Sequence, residues 1–589
     1  MENKFKLNQN AGRFKIVKIP LISAIYLLLV TDLVKAQNDI PPIPLPPQPE
    51  PREPETLPPL EEILPELENP TAPDDSNTTI KDFANTVFVK KFEIVGSTAF
   101  TPEELARVLK PFTLRRLSFS EILAAQKAID RLYVERGYIT SGTFLPPQKL
   151  EDGIVTIEVV EGTVEEISIE GLNRLNSGYV RSRLDLATGA PLNRDKLLNA
   201  LQLLQIDPLI ENLAAELTAG TRPGSSILEL NLEEADPFDL ILGFDNYRAP
   251  SVGTDRRTVR LTHRNLAGFG DRLSVGYLNT DGSNSLNDLN YSLPFNPYNG
   301  TINFRFDYTD SNIITSPFDS LNVESENTYY EFTYRQPLLQ KPTEDVAIGF
   351  TFSRNDSVIT INNQPEQIFS RGANANGETN ISALRFFQEY TKSDANRVIA
   401  LRSQFSLGID AFDATINDGD LPDSKFLAWR GQAQYLQLLG SNFTLLLRSD
   451  FQVSDRSLVP TEQFTLGGGL NVRGYPQNAL LGDNGWFNSV EIRATVLRIP
   501  KWKASLELTP FVDFGTVWNS DVNSNDDDNF DDFELETNTL VSTGIGLRLQ
   551  ISDRFASRLD WGIPLVDLDT EGDSLQENGV YFSLEAKPF

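Results

Sequence analysis

The second half of the chain consists of short runs in which apolar and polar residues alternate. In Leu273–Tyr277 and Thr301–Tyr308 every second side chain is apolar, and this period of two is that of a β-strand with one apolar face and one wet face. Dividing residues 237–589 at turn residues gives about sixteen such strands, an even number as in bacterial outer-membrane barrels. We therefore predict an all-β transmembrane barrel of about sixteen antiparallel strands. A soluble β-sandwich or propeller is the alternative, but four-strand blade repeats are not visible.

The connections between these strands alternate between short and long. Leu439–Ser441 and Ser552–Arg554 are short. The long connections are Ser311–Asn327, Asn355–Asn380, Asp410–Ser424, Ser454–Asp483 and Asn519–Asn538. Outer-membrane barrels have short periplasmic turns and long extracellular loops, and an even strand count places both barrel ends in the periplasm. The two soluble domains that precede residue 237 are therefore predicted to lie in the periplasm.

The last predicted strand, Val580–Phe589, places Val580, Phe582, Leu584 and Ala586 on one face. The terminal Phe589 falls out of this alternation, and we attribute the departure to a slip at Pro588. Apart from it, the segment resembles the aromatic terminal signal of outer-membrane proteins.

Residues 87–236 contain a repeat with a different pattern. Phe92–Thr98 and Ile167–Asn173 are alternating strands that end in a glycine turn, and their offset matches one small domain. In each copy the strand is followed by two segments with helical periodicity and then by two more strands. The predicted order is βααββ, twice, over residues 87–162 and 163–236. The copies resemble POTRA domains, notably in Pro147-Gln148 before Gly153 and in the strand ending Val159-Val160-Glu161-Gly162.

The first 86 residues have no such pattern. Five lysines and arginines precede an apolar run at Ile19–Val30, and small residues follow around Ala36. This arrangement predicts a signal peptide over residues 1–36, because the run is too short to span a bilayer. Prolines then recur every few residues, so residues 37–86 are predicted to be an extended linker.

The composition argues against several classes of function. The net charge of −30 argues against a nucleic-acid partner, which would need clustered Lys and Arg. Cysteine is absent, and His263 is the only histidine, so no thiolate metal site or cysteine nucleophile is expected. Nucleotide, zinc-hydrolase and serine-elbow motifs are also missing, so we expect no enzyme activity and no cofactor. The acidic run 525–532 offers oxygen ligands for calcium but lacks EF-hand spacing. We therefore expect a solvated loop and no metal site.

Two short motifs stand out within the predicted barrel. Gly467–Tyr475 reads GGGLNVRGY and lies in a long loop, and Phe511–Gly515 reads FVDFG and lies on a strand. Glycine accepts backbone conformations closed to other residues, so the loop can bend back into the barrel. Arg473 could then form a two-pronged contact with Asp513 on the inner wall. The alternative is a surface loop with a solvated Arg473.

The two motifs resemble the VRGY and F-x-D-x-G motifs of the Omp85 superfamily. Its members with two POTRA domains are the TpsB two-partner secretion transporters, which include haemolysin secretion/activation proteins of ShlB/FhaC/HecB type. The resemblance implies a lumen-inserted loop motif of Val472, Arg473, Gly474 and Tyr475. It also implies a barrel-wall partner motif of Phe511, Asp513 and Gly515.

By this resemblance the chain is a monomer in outer-membrane lipid that exports a TpsA-like β-helical exoprotein of haemagglutinin or haemolysin type. The periplasmic domains catch the unfolded exoprotein, which then threads through the barrel. Apolar residues near Leu197–Leu217, beside a strand edge, are a candidate docking site. Folding outside the cell would drive export. An insertase that assembles other barrels is the alternative, although more soluble domains would be usual there. A passive porin would leave the repeat and the Arg473 loop without a role.

Overall fold

A computed structural model describes residues 86–588 except 150–151, 317, 363, 366–370, 420, 521–537, 569–571 and 573. The predicted signal peptide, most of the predicted linker, the acidic run 525–532 and Phe589 lie outside the described residues. No helix within the described part is long and apolar enough to cross a membrane.

The first periplasmic unit is a three-stranded sheet covered by two helices. Its elements are β1 Val87–Val89, β2 Lys91–Val95, α1 Pro102–Leu109, β3 Arg115–Leu117, α2 Phe119–Glu135, β4 Gly142–Phe144 and β5 Ile154–Val160. Both helices begin at a capping box, Thr101 with Glu104 and Ser118 with Glu121, which satisfies backbone N–H groups that lack helical partners. The sheet order is β2-β5-β4. The separate β1–β3 pair was not predicted.

The second unit repeats the order without the extra pair. Its elements are β6 Thr163–Glu170, α3 Ser177–Asp185, α4 Arg194–Gln205, β7 Ile210–Ala219 and β8 Ser225–Glu234. Strand β8 is central in the sheet, with β6 parallel and β7 antiparallel to it. The unit contacts the barrel directly. Asn176 donates from its backbone to Gly268 at 2.8 Å, and Arg183 Nε donates to Asn299 Oδ1 at 2.7 Å.

The rest of the chain forms a closed barrel of sixteen antiparallel strands. Its strands are β9 Phe238–Asp245, β10 Arg256–Arg264, β11 Arg272–Asn279, β12 Ser283–Pro294, β13 Thr301–Asn312, β14 Val323–Lys341, β15 Glu344–Ile361, β17 Glu378–Asp394, β18 Arg397–Ile409, β19 Leu427–Leu438, β20 Phe443–Ser454, β23 Asn484–Ile499, β24 Ala504–Trp518, β25 Thr539–Ile551, β26 Phe555–Pro564 and β27 Val580–Ala586. Three short strands lie in loops, β16 Gln364–Pro365, β21 Phe464–Leu466 and β22 Leu480–Gly482. The predicted fold class is confirmed.

Side chains alternate between the two faces of the wall as expected for a barrel in lipid. Val490, Ile492 and Val512 point outward and are about half exposed, whereas Ser489, Glu491 and Asp513 beside them point inward. The inner wall is polar and carries ion pairs such as Arg335 with Asp345. An apolar outer face and a polar lumen are the pattern of an outer-membrane barrel.

Two of the predicted long loops are wrong in their bounds. The predicted loop Ser311–Asn327 is only residues 313–322, and Asn355–Asn380 is only residues 362–377, because β13, β14, β15 and β17 continue into the predicted loops. In the extension of β15 the buried positions Asn355 and Ser357 are polar, so the apolar alternation ends although the hydrogen-bonded ladder continues. The final strand is also shorter than predicted, ending at Ala586.

The barrel wall is uneven in height around its circumference. Strand β14 has 19 residues, β15 has 18 and β17 has 17, whereas β9 has 8 and β27 has 7. The closing pair β27–β9 is held by a register of only four residue pairs, from Ser583 with Asp245 to Ala586 with Leu242. Asn246 extends it, since its side chain accepts from the Phe582 N–H at 2.8 Å and donates to the Val580 carbonyl at 2.9 Å.

Candidate functional site

The connection between β20 and β23, residues 455–483, folds into the barrel and packs against its inner wall. Its core is the hairpin of β21 and β22. At the turn, Gly467 and Gly468 have φ of +100° and +108°, a backbone region that side chains rarely tolerate. Five side chains of the loop are buried against Phe487, Val517 and Leu540 of the wall, namely Phe464, Leu466, Val472, Tyr475 and Leu480. We call residues 455–483 the inserted loop.

Arg473, at the far end of the inserted loop, is fully buried. Its Nε and Nη2 donate to the two oxygens of Asp513 at 2.8 and 2.9 Å, and its backbone N–H donates to the same carboxylate at 3.2 Å. Its Nη1 donates to Glu491 at 2.8 Å. The guanidinium also lies 3.3 Å from the centre of the Phe511 ring. The sequence-predicted Arg473, Phe511 and Asp513 are therefore brought together in one contact.

The ion pair is part of a larger buried cluster. Arg558, on β26, donates to Glu491 at 2.9 Å and pairs with Asp560, and Arg493 donates to Glu491 at 2.9 Å. The cluster comprises three arginines, Arg473, Arg493 and Arg558, and three carboxylates, Glu491, Asp513 and Asp560. Its formal charge is zero, so each buried charge is compensated. Only one of these six groups comes from the inserted loop.

Glycines in the wall make room for residues 472–475, which we call the tip of the inserted loop. A Cβ atom on Gly515 would lie 2.5 Å from a methyl carbon of Leu466 and 2.9 Å from one of Val472. A Cβ atom on Gly562 would lie 2.5 Å from the Gly474 nitrogen. These separations are shorter than any van der Waals contact. At Gly562 the opposing atom is backbone, so the seating of the tip requires glycine there, whereas at Gly515 the Leu466 and Val472 methyl groups would have to shift.

Tyr475 and Gly474 fix the tip from the other side. The Tyr475 hydroxyl donates to the Val541 carbonyl at 2.8 Å. Tyr581, on β27, accepts from the Gly474 N–H at 3.1 Å and donates to the Tyr475 carbonyl. Val472 packs in the apolar cluster of the hairpin. All four residues of the predicted loop motif are thus buried against the wall.

Several residues of the site were not predicted from the sequence. Glu491, Arg493, Arg558 and Asp560 are inward-facing charges, and Tyr581 is an inward-facing aromatic. In the sequence they resemble any other residue of a polar lumen. Only their position within three strands of Asp513 distinguishes them, and that depends on the strand order and register. His263 lies elsewhere, with its ring 4.6 Å from that of Phe238. No group of His, Cys, Asp and Glu suited to a metal occurs in the described residues.

Comparison with known proteins adds the family. Residues 224–549, more than half of the chain, match the family described as haemolysin secretion/activation protein ShlB/FhaC/HecB, and residues 87–162 match the ShlB-type POTRA domain. The chain belongs to this haemolysin secretion/activation protein family. It is an outer-membrane transporter for protein secretion, and its POTRA region lies in the periplasm.

Relatives of this haemolysin secretion/activation protein carry consistent names. The outer membrane transporter CdiB of Escherichia coli O6:K15:H31 is 24% identical over 70% of each chain. The heme/hemopexin transporter protein HuxB of Haemophilus influenzae is 22% identical over 66% of this chain and 69% of its own. The hemolysin transporter protein HpmB of Proteus mirabilis is 25% identical over 70% and 72%.

Solved structures show that the fold of this haemolysin secretion/activation protein is shared. CdiB from Escherichia coli superposes with a TM-score of 0.67 at 21% identity, covering 96% of this chain and 98% of its own. BamA from Haemophilus ducreyi lacking POTRA domains 1–3 gives a TM-score of 0.52 at 15% identity, covering 85% and 100%. The likeness to BamA is the more distant, so the insertase alternative is not favoured.

Proposed function

We propose that the periplasmic units bind an unfolded exoprotein and that it passes through the barrel when the inserted loop moves aside. One observation carries this proposal. The lumen holds a folded segment fixed by buried charges, whereas a permanent plug could be packed by apolar contacts alone. Buried ion pairs add little net stability but define position. A gate needs this combination, because it must be held at one place and still be released.

The exported partner is proposed to be a TpsA-like β-helical exoprotein. Such a protein has many strand-forming segments while unfolded, and each can add to the edge of an existing sheet as an extended strand. Strand β7 is an edge of the second unit and has 10 residues. The apolar residues Leu197, Leu201 and Leu213 beside it are buried in the core of that unit. Docking at β7 would therefore use its backbone and not an apolar patch.

The remaining features follow from the same proposal. The domain boundaries are those given by the sequence, 1–36, 37–86, 87–162, 163–236 and 237–589. The chain acts as a monomer in outer-membrane lipid. It uses no cofactor, catalyses no reaction and binds no nucleic acid, in keeping with a site built from ion pairs and with a net charge of −30. Folding of the exoprotein outside the cell makes its return unfavourable.

The decisive experiment replaces Arg473 with alanine. The chain is co-expressed with a large candidate exoprotein from its genome, and exoprotein in the medium is quantified. Arg473→Ala should reduce export at least about tenfold, because the tip loses its ion pairs with Asp513 and Glu491. Heat-modifiability gels should still show an inserted barrel.

The matched control is Arg335→Ala. Arg335 is a luminal arginine that pairs with Asp345 and Glu389 on the wall and not with the inserted loop. It should leave export within about twofold of the unmodified chain, as expected for a wall pair outside the gate. Export that survives Arg473→Ala unchanged would remove the inserted loop from the mechanism.

A further inference from the structure

The inserted loop contacts the wall at a second place, far from Arg473. Its first part packs with Leu458 and Val459 against Ile381 and Ala383 of β17, and against the start of β19. A short turn follows at residues 460–462. At its end a Glu462 carboxylate oxygen accepts from Arg385 Nη2, on β17, at 2.7 Å.

Arg385 is held by the wall as well as by the loop. Its Nη1 donates to Ser406 Oγ at 2.8 Å and its Nε to Ser353 Oγ at 3.3 Å. The Arg385 and Glu462 side chains are 10% and 8% exposed. Glu462 is the one carboxylate that forms an ion pair with Arg385 among the described residues. The wall groups that hydrogen-bond with Arg385 are thus neutral hydroxyls, and the loop supplies its ion-pair partner. Glu331 of β14 also interacts with Arg385 electrostatically.

The inserted loop thus has two charged contacts with the wall, Glu462 with Arg385 and Arg473 with Asp513, which we call its two anchors. They lie on well-separated sectors of the barrel. Counting from β9, β17 is the eighth strand and β24, which carries Asp513, is the thirteenth, so they are five positions apart in a ring of sixteen. Glu462 and Arg473 are eleven residues apart in sequence, from 473 minus 462. The inserted loop therefore bridges the lumen, with a negative group at one end and a positive group at the other.

The two anchors differ in the contacts that break, and in the charges left without a partner, when each is released. Arg473 makes five hydrogen bonds and a ring contact, and its departure leaves three carboxylates with two arginines inside the wall. Release of Glu462 breaks one charged hydrogen bond, a second hydrogen bond from Gln452 Nε2 to the Glu462 carbonyl at 3.0 Å, and the apolar packing of Leu458 and Val459. The carboxylate returns to water, and Arg385 keeps both serine hydroxyls while the opened lumen hydrates it.

We propose that Arg385 and Glu462 form a latch that sets the closed state of the pore and opens before the Arg473 anchor. The inserted loop then swings about its Arg473 end and leaves the β17 side of the lumen free. Both are positioning residues. The proposal rests on the function given above, in that the inserted loop closes the lumen.

A charge exchange tests the latch by the conductance of the purified full-length chain in planar lipid bilayers. Arg385→Glu and Glu462→Arg alone should each raise the open fraction by on the order of tenfold, about 1.4 kcal/mol. The double variant should return to within about threefold of the unmodified chain, because the pair is restored with reversed sign. Serine hydroxyls donate as well as accept, so they can serve a carboxylate at position 385.

The matched control is Arg335→Glu, which reverses a luminal charge that does not contact the inserted loop. It should leave the open fraction within about threefold of the unmodified chain. Glu462→Gln removes the charge with the least change in shape and should open the pore in the same direction. Single variants that behave like this control, or a double variant as open as the singles, would overturn the latch.

The order of release is tested with single thiols, because the chain contains no cysteine. Thr461 and Leu466 are 4% and 0% exposed, and they lie near the latch and in the hairpin of the Arg473 end, respectively. Glu462→Gln should speed labelling of the Thr461→Cys thiol by a large bilayer-impermeant maleimide at least about tenfold. Labelling of the Leu466→Cys thiol should stay slow. Equal acceleration at both sites, or none at either, would contradict a latch that opens first.

These measurements need no exported protein. A latch that behaves as proposed in a chain that exports nothing would refute only the proposed function. A double variant that fails to close the pore, while Arg473→Ala still abolishes export, would refute only the latch.

Discussion

The buried charge cluster predicts how substitutions of Arg473 and Asp513 change the free energy of unfolding. Arg473→Ala leaves three carboxylates with two arginines, and Asp513→Ala leaves three arginines with two carboxylates. Each single variant should lose about 3 to 5 kcal/mol of stability, the usual cost of leaving a buried charge without its partner. The double variant leaves Arg493 and Arg558 with Glu491 and Asp560, which is neutral again.

The double variant should therefore lose much less than the sum of the two single losses. We expect a coupling energy of about 2 to 3 kcal/mol, within the range for residues that share a buried network. The free energies of unfolding come from urea titrations of the purified chain in lipid vesicles, and export is measured in parallel. All three variants should export poorly, because in each of them the tip has lost its contact with Asp513.

The double variant should thus lose little stability and still export poorly. Single losses that add to within about 0.5 kcal/mol would mean that the two groups are not coupled. Normal export by the stable double variant would mean that the contact holds the structure together without serving transport. The first result would refute the reasoning from charge balance, and the second would refute a role of the contact in transport.

Two further predictions concern close packing and pH. Gly562→Ala should unseat the tip of the inserted loop and raise conductance in planar bilayers, because its Cβ would lie 2.5 Å from the Gly474 nitrogen; Gly440→Ala, which has open space around it, should change nothing. In the first periplasmic unit, burial raises the pKa of Glu161, but hydrogen bonds from Thr98 and Ala99 outweigh this and lower it. Its contribution to stability is present above the ordinary value of 4.5 and is lost as pH falls through the lowered value. Hydrogen exchange at Thr98 and Ala99 in the full chain should show this loss, and Glu161→Gln should remove the pH dependence; an unchanged profile in that variant would contradict the assignment.

The barrel could be predicted from the sequence because the alternation of apolar and polar residues reflects which side chains face lipid and which face water. Residues such as those of Thr301–Tyr308 point by turns to lipid and to the lumen, so their pattern gave the strands and their number. The same logic failed at Asn355–Asn380, where the buried face of β15 carries the polar side chains of Asn355 and Ser357. Periodicity cannot separate such a strand from a loop.

The candidate site was only partly accessible from the sequence. Arg473 and Asp513 stood out because they lie in short motifs with recognisable glycines. Glu491 and Arg558 did not stand out, because the partner of a luminal charge depends on the order and register of the neighbouring strands, which the sequence does not show. Arg385 and Glu462 were missed for the same reason, since 77 residues separate them.

The uneven height of the wall has a consequence for the route out of the cell. At about 3.4 Å per residue and a tilt of about 40°, β14 rises roughly 50 Å and β27 roughly 18 Å, against an apolar band of about 25 Å. The long strands therefore extend beyond an apolar band of this height, whereas the closing pair is shorter than the band. At the seam the wall is completed by the segment before β27, whose buried Gln576 donates to the carbonyls of Asn246 and Arg248. The rim is thus built from a continuous ladder on the β14 side and from side-chain hydrogen bonds at the seam, so we expect the seam to be the side of the mouth that opens more easily.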